Sequence, residues 1–387
     1  MAESVSEIGE LSMSEKRTQE KIQKDIAPTF PHIDSEQLTL LTLKLPNFTL
    51  DQQEDYDNDT LPDVRLHRPP RVFSIETLCA SIQNGCSVDP IKWYIQDYQT
   101  SSRIGKQLRL KGWAALYYAA ERNSEDLVRL LSHVGVQAAS SKNKFPIPLI
   151  AYVIIHGHVN AIDTSAVLKM LLADGYDPTT VPMDMWQNFL ETPRPSPLPS
   201  VIIPASFKQA SLWCTPVMRR ILARSTHLTQ RYLLHLAHGL PKLAQRKVQI
   251  MKEYNMTELN KLPYSLIGQR SAAQIVVDRI YSHISLKNQQ PLLMAFSGAS
   301  GHGKTELANS IGDLLSVQAT IVDMASCRDE WALFQLDSWM GRNQDGSKLN
   351  NFLTANSGKR SVVFLDEFDK TVQDVRKILL LLAQSGM

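Results

Sequence analysis

The chain has 387 residues, which at about 150 residues per domain predicts two to three domains and excludes a peptide hormone or a minimal disulfide scaffold. Its 41 Lys and Arg against 39 Asp and Glu leave a net charge of +2, too small to draw the whole chain to nucleic acid or to an anionic membrane. A hydrophobic content of 43% with 20 prolines and 17 glycines indicates globular parts joined by linkers.

The four cysteines lack the spacing of a zinc site, so we expect reduced thiols in an intracellular protein. Glu3, Glu7 and Glu10 near the start, with no apolar segment beside them, argue against a secretory signal and against a mitochondrial presequence. No run approaches the roughly 18 apolar residues of a membrane helix. The sequence predicts a protein of the cytoplasm or nucleus that is not secreted and has no membrane partner.

Residues 1–70 are polar and predict a disordered arm. Five acidic residues fall within the nine positions from Asp51 to Asp59. A locally apolar run from Leu38 to Leu50 fits a strand, a docking segment or an unstructured patch, and the sequence leaves these alternatives open.

Residues 71–190 have a helical pattern and carry the segment Gly112-Trp-Ala-Ala-Leu-Tyr-Tyr-Ala-Ala-Glu, followed by Leu127-Val-Arg-Leu-Leu and Gly135. This segment resembles an ankyrin repeat, a helical hairpin in which small residues such as Ala119 and Ala120 let the helices approach closely. The pair Ala115-Leu116 recurs 33 residues later as Pro148-Leu149, which is the ankyrin period. The resemblance implies an all-α repeat domain that recruits a protein partner.

The second repeat-like unit is longer than the first, which predicts an insertion near His156 to Thr164. Because a stable stack needs about three units, we expect either a degenerate third one within Phe73 to Thr100 or packing of the two units against a neighbour. The alternative is an ordinary helical domain with two chance matches.

Four prolines at positions 193, 195, 197 and 199 predict an extended linker over residues 191–212. Residues 213–261 then form a basic helical connector, with eight Lys or Arg and no acid between Trp213 and Lys252. Apolar residues at Ile221, Leu228 and Leu236 recur at helical spacing, so we favour an amphipathic helix with a solvated basic side over an anion-binding face. No base-reading motif accompanies it, and no nucleic-acid partner is predicted.

An apolar run from Pro291 to Ser297, of buried-strand type, precedes the motif GxxxxGK[ST]. In this loop, backbone N–H groups converge on phosphates at a helix N-terminus, the lysine reaches the β- and γ-phosphates, and the hydroxyl can bind Mg²⁺. The predicted ATP-binding residues of the loop are Gly298, Ala299, Ser300, Gly301, His302, Gly303, Lys304 and Thr305.

A second apolar run, Val362-Val-Phe-Leu, delivers Asp366 and Glu367 62 residues after Lys304 and has the form of a Walker B motif. In that arrangement Asp366 and Thr305 hold Mg²⁺, and Glu367 is the catalytic base for the attacking water. The alternative is a pair of solvated acids at a strand end. The motifs predict an α/β P-loop domain that uses ATP and Mg²⁺.

Residues 262–387 resemble the second ATPase module of Clp/Hsp100-type AAA+ unfoldases, through Ile267-Gly268-Gln269, the loop ending Gly303-Lys304-Thr305, Asp323-Met324 and Leu365-Asp366-Glu367. The resemblance implies that Ile267 and Gly268 contact the adenine. It further implies a ring of identical subunits whose central pore grips substrate, with Trp339, Met340 and Gly341 as the candidate pore loop.

The combination with ankyrin-like repeats is similar to filamentous-fungal ankyrin/AAA+ proteins and to the mitochondrial ankyrin-containing Clp-like disaggregases. It predicts a chaperone or protein-remodelling ATPase. One alternative is a non-catalytic ankyrin scaffold with a vestigial ATPase. Another is an accessory protein of a specialised biosynthetic pathway.

The sequence ends at Met387, 18 residues after Asp369. We therefore expect an AAA+ module truncated after the Walker B helix, without a sensor 1 strand, arginine finger or helical lid. In the sheet order 5-1-4-3-2 that the resemblance implies, the missing strand lies between the phosphate-loop strand and the Walker B strand, leaving an incomplete parallel sheet. Efficient hydrolysis by this chain alone is not expected, because an arginine finger contributes about 10³-fold or more to the rate.

Overall fold

The structure is a computed structural model. It describes residues 39–40, 43–47, 73–99, 108, 112–136, 147–195, 213–286, 290–327, 333 and 347–377. The predicted linker and the pore-loop candidate Trp339, Met340 and Gly341 lie largely or wholly outside these residues.

The first half of the described chain is helical. Its six helices are α1 (Ile75–Gln83), α2 (Val88–Gln99), α3 (Trp113–Glu121), α4 (Glu125–His133), α5 (Leu149–Val159) and α6 (Ser165–Ala173). α3 packs against both α1 and α4, and α6 packs against α4 and α5. A helix pair, α1 and α2, thus lies where the sequence predicts a third repeat unit, while the ankyrin resemblance itself stays a prediction.

Capping residues set the ends of these helices. Ser124 caps α4, because its side chain accepts a hydrogen bond from the Leu127 N–H. The same helix ends at Gly135, whose φ of +89° is in the left-handed region, and the Val136 N–H then bonds back to the Leu131 carbonyl. α6 ends in the same way at Gly175.

Residues 213–261 contain three helices rather than the continuous amphipathic one expected through Ile221, Leu228 and Leu236. They are α7 (Pro216–Ser225), α8 (Leu228–Gly239) and α9 (Gln245–Glu253), and a 3₁₀ turn follows at Thr257–Lys261. The continuous-helix prediction was wrong because Thr226 leaves helical geometry and its hydroxyl bonds the Leu222 carbonyl.

The basic residues of this region also have structural contacts. Arg231 is only 6% exposed and donates to the carbonyls of Thr226 and Phe189. Arg219 pairs with Asp184. The predicted connector is divided between two cores: α7 and α8 pack into the core of α1–α6, while α9 belongs to a second core.

That second core lies among α9, α10 (Leu262–Ser265), α11 (Arg270–Ser285) and α12 (Lys304–Leu315). A third, smaller core lies beside two parallel strands, β1 (Gln318–Asp323) and β2 (Ser361–Asp366), with α13 (Lys348–Ala355) between them in the chain. The strands pair in register from Gln318 with Ser361 to Asp323 with Asp366, so both acids stand at the carboxyl edge.

The run from Pro291 to Ser297 is not the buried strand that its composition predicts. Its side chains alternate, with Leu292, Met294 and Phe296 packed against the second core and Leu293 61% exposed. No strand pairs with it among the described residues. One face of the run from 291 to 297 packs on the second core and the other face is exposed, so every second side chain is exposed.

An ionic cluster joins the first core to the second. Lys261, in the 3₁₀ turn, pairs with Glu125 of α4, and its Nζ lies 2.6 Å from Glu258. Arg129 of α4 reaches Glu258 at 3.2 Å. Tyr264 is buried in the first core, whereas its neighbours Leu262 and Leu266 are buried in the second.

Asp174, at the C-terminal end of α6, is half-buried next to this cluster, and its Oδ2 atom is shielded from solvent. Burial raises the pKa of its carboxyl from 3.8 to about 6, and the nearby Glu258 adds to that effect. The unfolded chain releases this proton at a lower pH than the folded chain. The free energy of unfolding therefore decreases as the pH rises from about 4 to about 6.

We expect Asp174→Asn to leave the free energy of unfolding unchanged near pH 4 and to raise it by about 3 kcal/mol at pH 7.5. Urea unfolding followed by circular dichroism at the two pH values measures this. A gain at pH 7.5 no larger than that at pH 4 contradicts the burial of an ionised Asp174.

No helix in the described part of the chain is long and apolar enough to cross a membrane.

Candidate functional site

The loop from Gly298 to Thr305 leads directly into α12, which begins at Lys304. Gly301 and Gly303 both have φ of +77°, in the left-handed region that only glycine adopts freely. A Cβ built on Gly301 would meet no heavy atom within 4 Å, so the space beside this residue is open. The loop ends at the N-terminus of α12, and unpaired N–H groups at a helix N-terminus are the arrangement that binds anions.

Lys304 folds back over this loop. Its Nζ donates to the carbonyl of Gly298 at 2.9 Å and to that of Ala299 at 2.8 Å. Charged oxygens are stronger acceptors for an ammonium group than neutral carbonyls. The loop thus holds a cation that can turn to an incoming phosphate.

Thr305 and Asp366 come together from distant parts of the chain. The Thr305 hydroxyl Oγ1 lies 3.4 Å from Asp366 Oδ2, which places the first turn of α12 against the carboxyl end of β2. Both groups are oxygen ligands of the kind that Mg²⁺ prefers, and a protein Mg²⁺ site commonly uses only one or two such ligands beside phosphate and water. The residues present fit Mg²⁺.

Glu367 follows in a strained backbone conformation, with φ of +54°. A non-glycine residue in this region costs about 1 to 2 kcal/mol, and such outliers concentrate at functional sites. Its carboxylate accepts a hydrogen bond from Lys370 Nζ at 2.7 Å, and this contact raises the pKa of Lys370. The candidate base is therefore tied to a neighbouring cation.

Ile267 and Gly268 connect α10 to α11, and Ile267 is 81% exposed. The preceding Leu266 reaches the phosphate loop, because a Cβ built on Gly303 would lie 3.1 Å from Leu266 Cδ2. The chain leading to Ile267 is thus packed directly behind the loop. His302 bonds its own loop, with Nδ1 3.1 Å from the Ser300 carbonyl oxygen.

The sequence motifs do not identify two residues that contribute to this site. Lys370 lies three residues after Glu367, but its spacing alone does not indicate that the two side chains pair. Leu266 is one apolar residue among many, and only the fold brings it to Gly303. Asp323 ends β1 opposite Asp366, yet its carboxylate accepts from the Ala325 N–H in a turn.

Comparison with known proteins gives two matches. Residues 294–380 match the model of the AAA family, described as ATPase family associated with various cellular activities. A stretch of 139 residues is 32% identical to the chaperone protein ClpB of Propionibacterium freudenreichii subsp. shermanii, covering 33% of this chain and 16% of that protein. No solved structure matches the chain.

The chain therefore spans about one sixth of the length of the curated relative that it matches. Together with the parallel strand pair, these similarities support an AAA-like α/β domain of the Clp/Hsp100 type in the C-terminal part of the chain. An AAA domain implies nucleotide binding with a divalent metal.

Proposed function

We propose that the chain is an ATP-binding, Clp-like AAA+ protein that remodels other proteins, with its N-terminal helical region recruiting the partner. The observation that carries the proposal is the 3.4 Å approach of the Thr305 hydroxyl to Asp366 at the N-terminus of α12. Two motifs that lie far apart in the sequence meet there, with one hydroxyl and one carboxylate next to each other at the end of the phosphate loop.

In this proposal the loop Gly298–Thr305 binds the phosphates. Backbone N–H groups at the start of α12 bind the β-phosphate, and Lys304 leaves its carbonyl partners for a phosphate oxygen. Ile267 and Gly268 lie against the adenine, for which the high exposure of Ile267 leaves room. Apolar contact with a base favours a side chain such as isoleucine.

A bound Mg²⁺ would supply positive charge that offsets the charge of the phosphates. Thr305 and Asp366 are the residues that would hold it. Asp366 also accepts a hydrogen bond from the Glu367 N–H at 3.0 Å, which fixes the carboxylate at the strand end. A carboxylate fixed in this way has less rotational freedom to lose when a ligand binds.

Glu367 is the proposed base that orients and deprotonates the attacking water. The hydrogen bond from Lys370 holds the Glu367 carboxylate in position. To accept a proton, Glu367 must give up part of this contact, so Lys370 acts as a positioning residue.

The similarity to chaperone protein ClpB supports a protein as the substrate and a ring of identical subunits as the assembly. The pore loop at Trp339, Met340 and Gly341 remains part of this proposal, outside the described residues. The helices α1–α8 form the larger of the two main cores, and we assign partner recruitment to them.

Replacing Glu367 with glutamine tests the catalytic part. We expect phosphate release from ATP to fall by about a hundredfold with ATP affinity unchanged, because the amide keeps the shape of the side chain but cannot accept the proton. Phosphate release by purified parent and variant, with nucleotide affinity measured in parallel, checks this. Equal nonzero rates contradict the assigned role of Glu367.

A second candidate is a non-catalytic interaction protein that binds nucleotide without turnover. It is favoured by the phosphate-loop segment, which no strand pairs among the described residues. Absence of phosphate release from both the parent and Glu367→Gln, with ATP binding intact, identifies this candidate.

A further inference from the structure

The short segment of residues 43–47 packs on the helical region through its two leucines. Leu43 is 5% exposed and Leu45 is 8% exposed, whereas Lys44 between them is exposed. Both leucines therefore face the helical region. Leu43 closes a turn in which its N–H bonds the Leu40 carbonyl at 3.1 Å, and Pro46 restricts only the preceding Leu45 to extended geometry.

The contacts to this segment are made to its backbone as well as to its leucines. The Pro46 carbonyl accepts a hydrogen bond from the Tyr118 hydroxyl of α3 at 2.6 Å and one from Gln83 Nε2 of α1 at 3.3 Å. Gln83 Nε2 also lies 3.1 Å from Asn47 Oδ1. The helical region therefore contacts the backbone carbonyl of Pro46 through two donors and the Asn47 side chain through one of them.

Contacts within the helical region, independent of residues 43–47, hold the two sides of the groove together. Arg122, which follows α3, donates to the carbonyls of Cys86 at 2.6 Å and Ile82 at 3.3 Å, and so ties the end of α1 to α3. Tyr118 is 2% exposed, and burial raises the pKa of its hydroxyl, which therefore stays a hydrogen-bond donor. Both walls of the groove and its donor are fixed by contacts within the helical region.

We propose that the groove between α1 and α3 is a docking site for a Leu-x-Leu-Pro peptide of a partner protein, and that residues 43–47 fill it in cis. The chemistry of the occupant is read from the segment now bound: two leucines alternating with an exposed residue, then a proline whose carbonyl accepts from Tyr118 and Gln83. A tethered segment competes at a high effective concentration, so release of the arm controls access of the partner.

The test uses the full chain and a fluorescent peptide of residues 39–49, measured by anisotropy. In the arm variant Leu43→Asp/Leu45→Asp the cis segment is released, and we expect saturable peptide binding at least about tenfold tighter than to the parent chain. For the milder Leu45→Ala variant we expect a peptide affinity between those of the parent chain and the double variant. A peptide carrying the same two Leu→Asp changes is the control and does not bind.

The groove itself is tested by adding Tyr118→Phe and Gln83→Ala to the arm variant. Loss of the two donors to the Pro46 carbonyl weakens peptide binding by about tenfold or more. Three results overturn the proposal: no peptide binding to an arm variant with native circular dichroism, binding insensitive to the donor changes, or loss of helical structure in both arm variants. The last result makes residues 43–47 a fixed part of the core.

Discussion

Replacing Lys304 with alanine is expected to weaken ATP binding by about tenfold to hundredfold. The side chain is held within the loop by the carbonyls of Gly298 and Ala299, so its ammonium group is already beside the predicted phosphate position. Alanine removes a charge-assisted donor while preserving the start of α12, because alanine is the best helix former. Isothermal titration calorimetry of the full chain with ATP and Mg²⁺ measures the change.

Lys377→Ala is the matched control for this titration. Lys377 also lies in the C-terminal part, but its Nζ is only 3.4 Å from Asp374 in a pair with both side chains mostly exposed. Its removal alters the net charge by the same amount and should leave ATP affinity unchanged. Equal losses in the two variants would mean that bulk charge, rather than the loop, governs binding.

Replacing Lys261 with methionine is expected to lower the free energy of unfolding by about 3 kcal/mol. Lys261 is 11% exposed and stands between Glu125 and Glu258, the latter 13% exposed, so methionine leaves carboxylates facing each other with less compensation. Burial alone raises the pKa of Glu125, but hydrogen bonds from Lys261 and Arg129 more than offset this and hold the pKa below its usual value.

Lys247→Met provides the comparison. Lys247 Nζ pairs with Asp278 at 2.6 Å, but the Asp278 side chain is 53% exposed, and exposed pairs contribute only about 0 to 1 kcal/mol. Urea unfolding of both variants measures the difference. A Lys261→Met loss no greater than that of Lys247→Met contradicts a stabilising ionic junction between the two cores. Glu125→Gln/Glu258→Gln added to Lys261→Met should recover most of the loss.

The junction is a part of the fold that sequence reasoning missed. Glu125 and Lys261 lie far apart in the chain, and each fits an ordinary exposed helix position. Tyr264 and Leu266 are near neighbours, yet one is buried in the first core and the other in the second. Which core each residue joins depends on how the two cores pack against each other. The spacing of apolar residues in the sequence does not contain this information.

Local patterns predicted the helices better than the packing of each helix. The small residues around Ala119 predicted close helix contact, and α3 packs tightly against α1 and α4. The basic composition of residues 213–252 indicated a solvated face, but Arg231 is buried by donating to backbone carbonyls. A charge count cannot show which guanidinium groups have structural acceptors.

The candidate site was the most predictable part, because its motifs specify both residue type and spacing. Gly303, Lys304 and Thr305 lie at a helix N-terminus and Asp366 at a strand end, as the two motifs require. The strand before the loop was not found as predicted, since pairing depends on neighbours that composition does not reveal. The contact of Lys370 with Glu367 likewise depends on the turn after β2.

The most direct measurement is calorimetric titration of the parent chain with ATP, in the presence of Mg²⁺ and in its absence with chelator. We expect saturable binding of one ATP per chain that weakens when Mg²⁺ is removed, because Thr305 and Asp366 are the residues that would hold the ion beside the phosphates. Absence of ATP binding to the folded parent chain, with or without Mg²⁺, would contradict the proposed function.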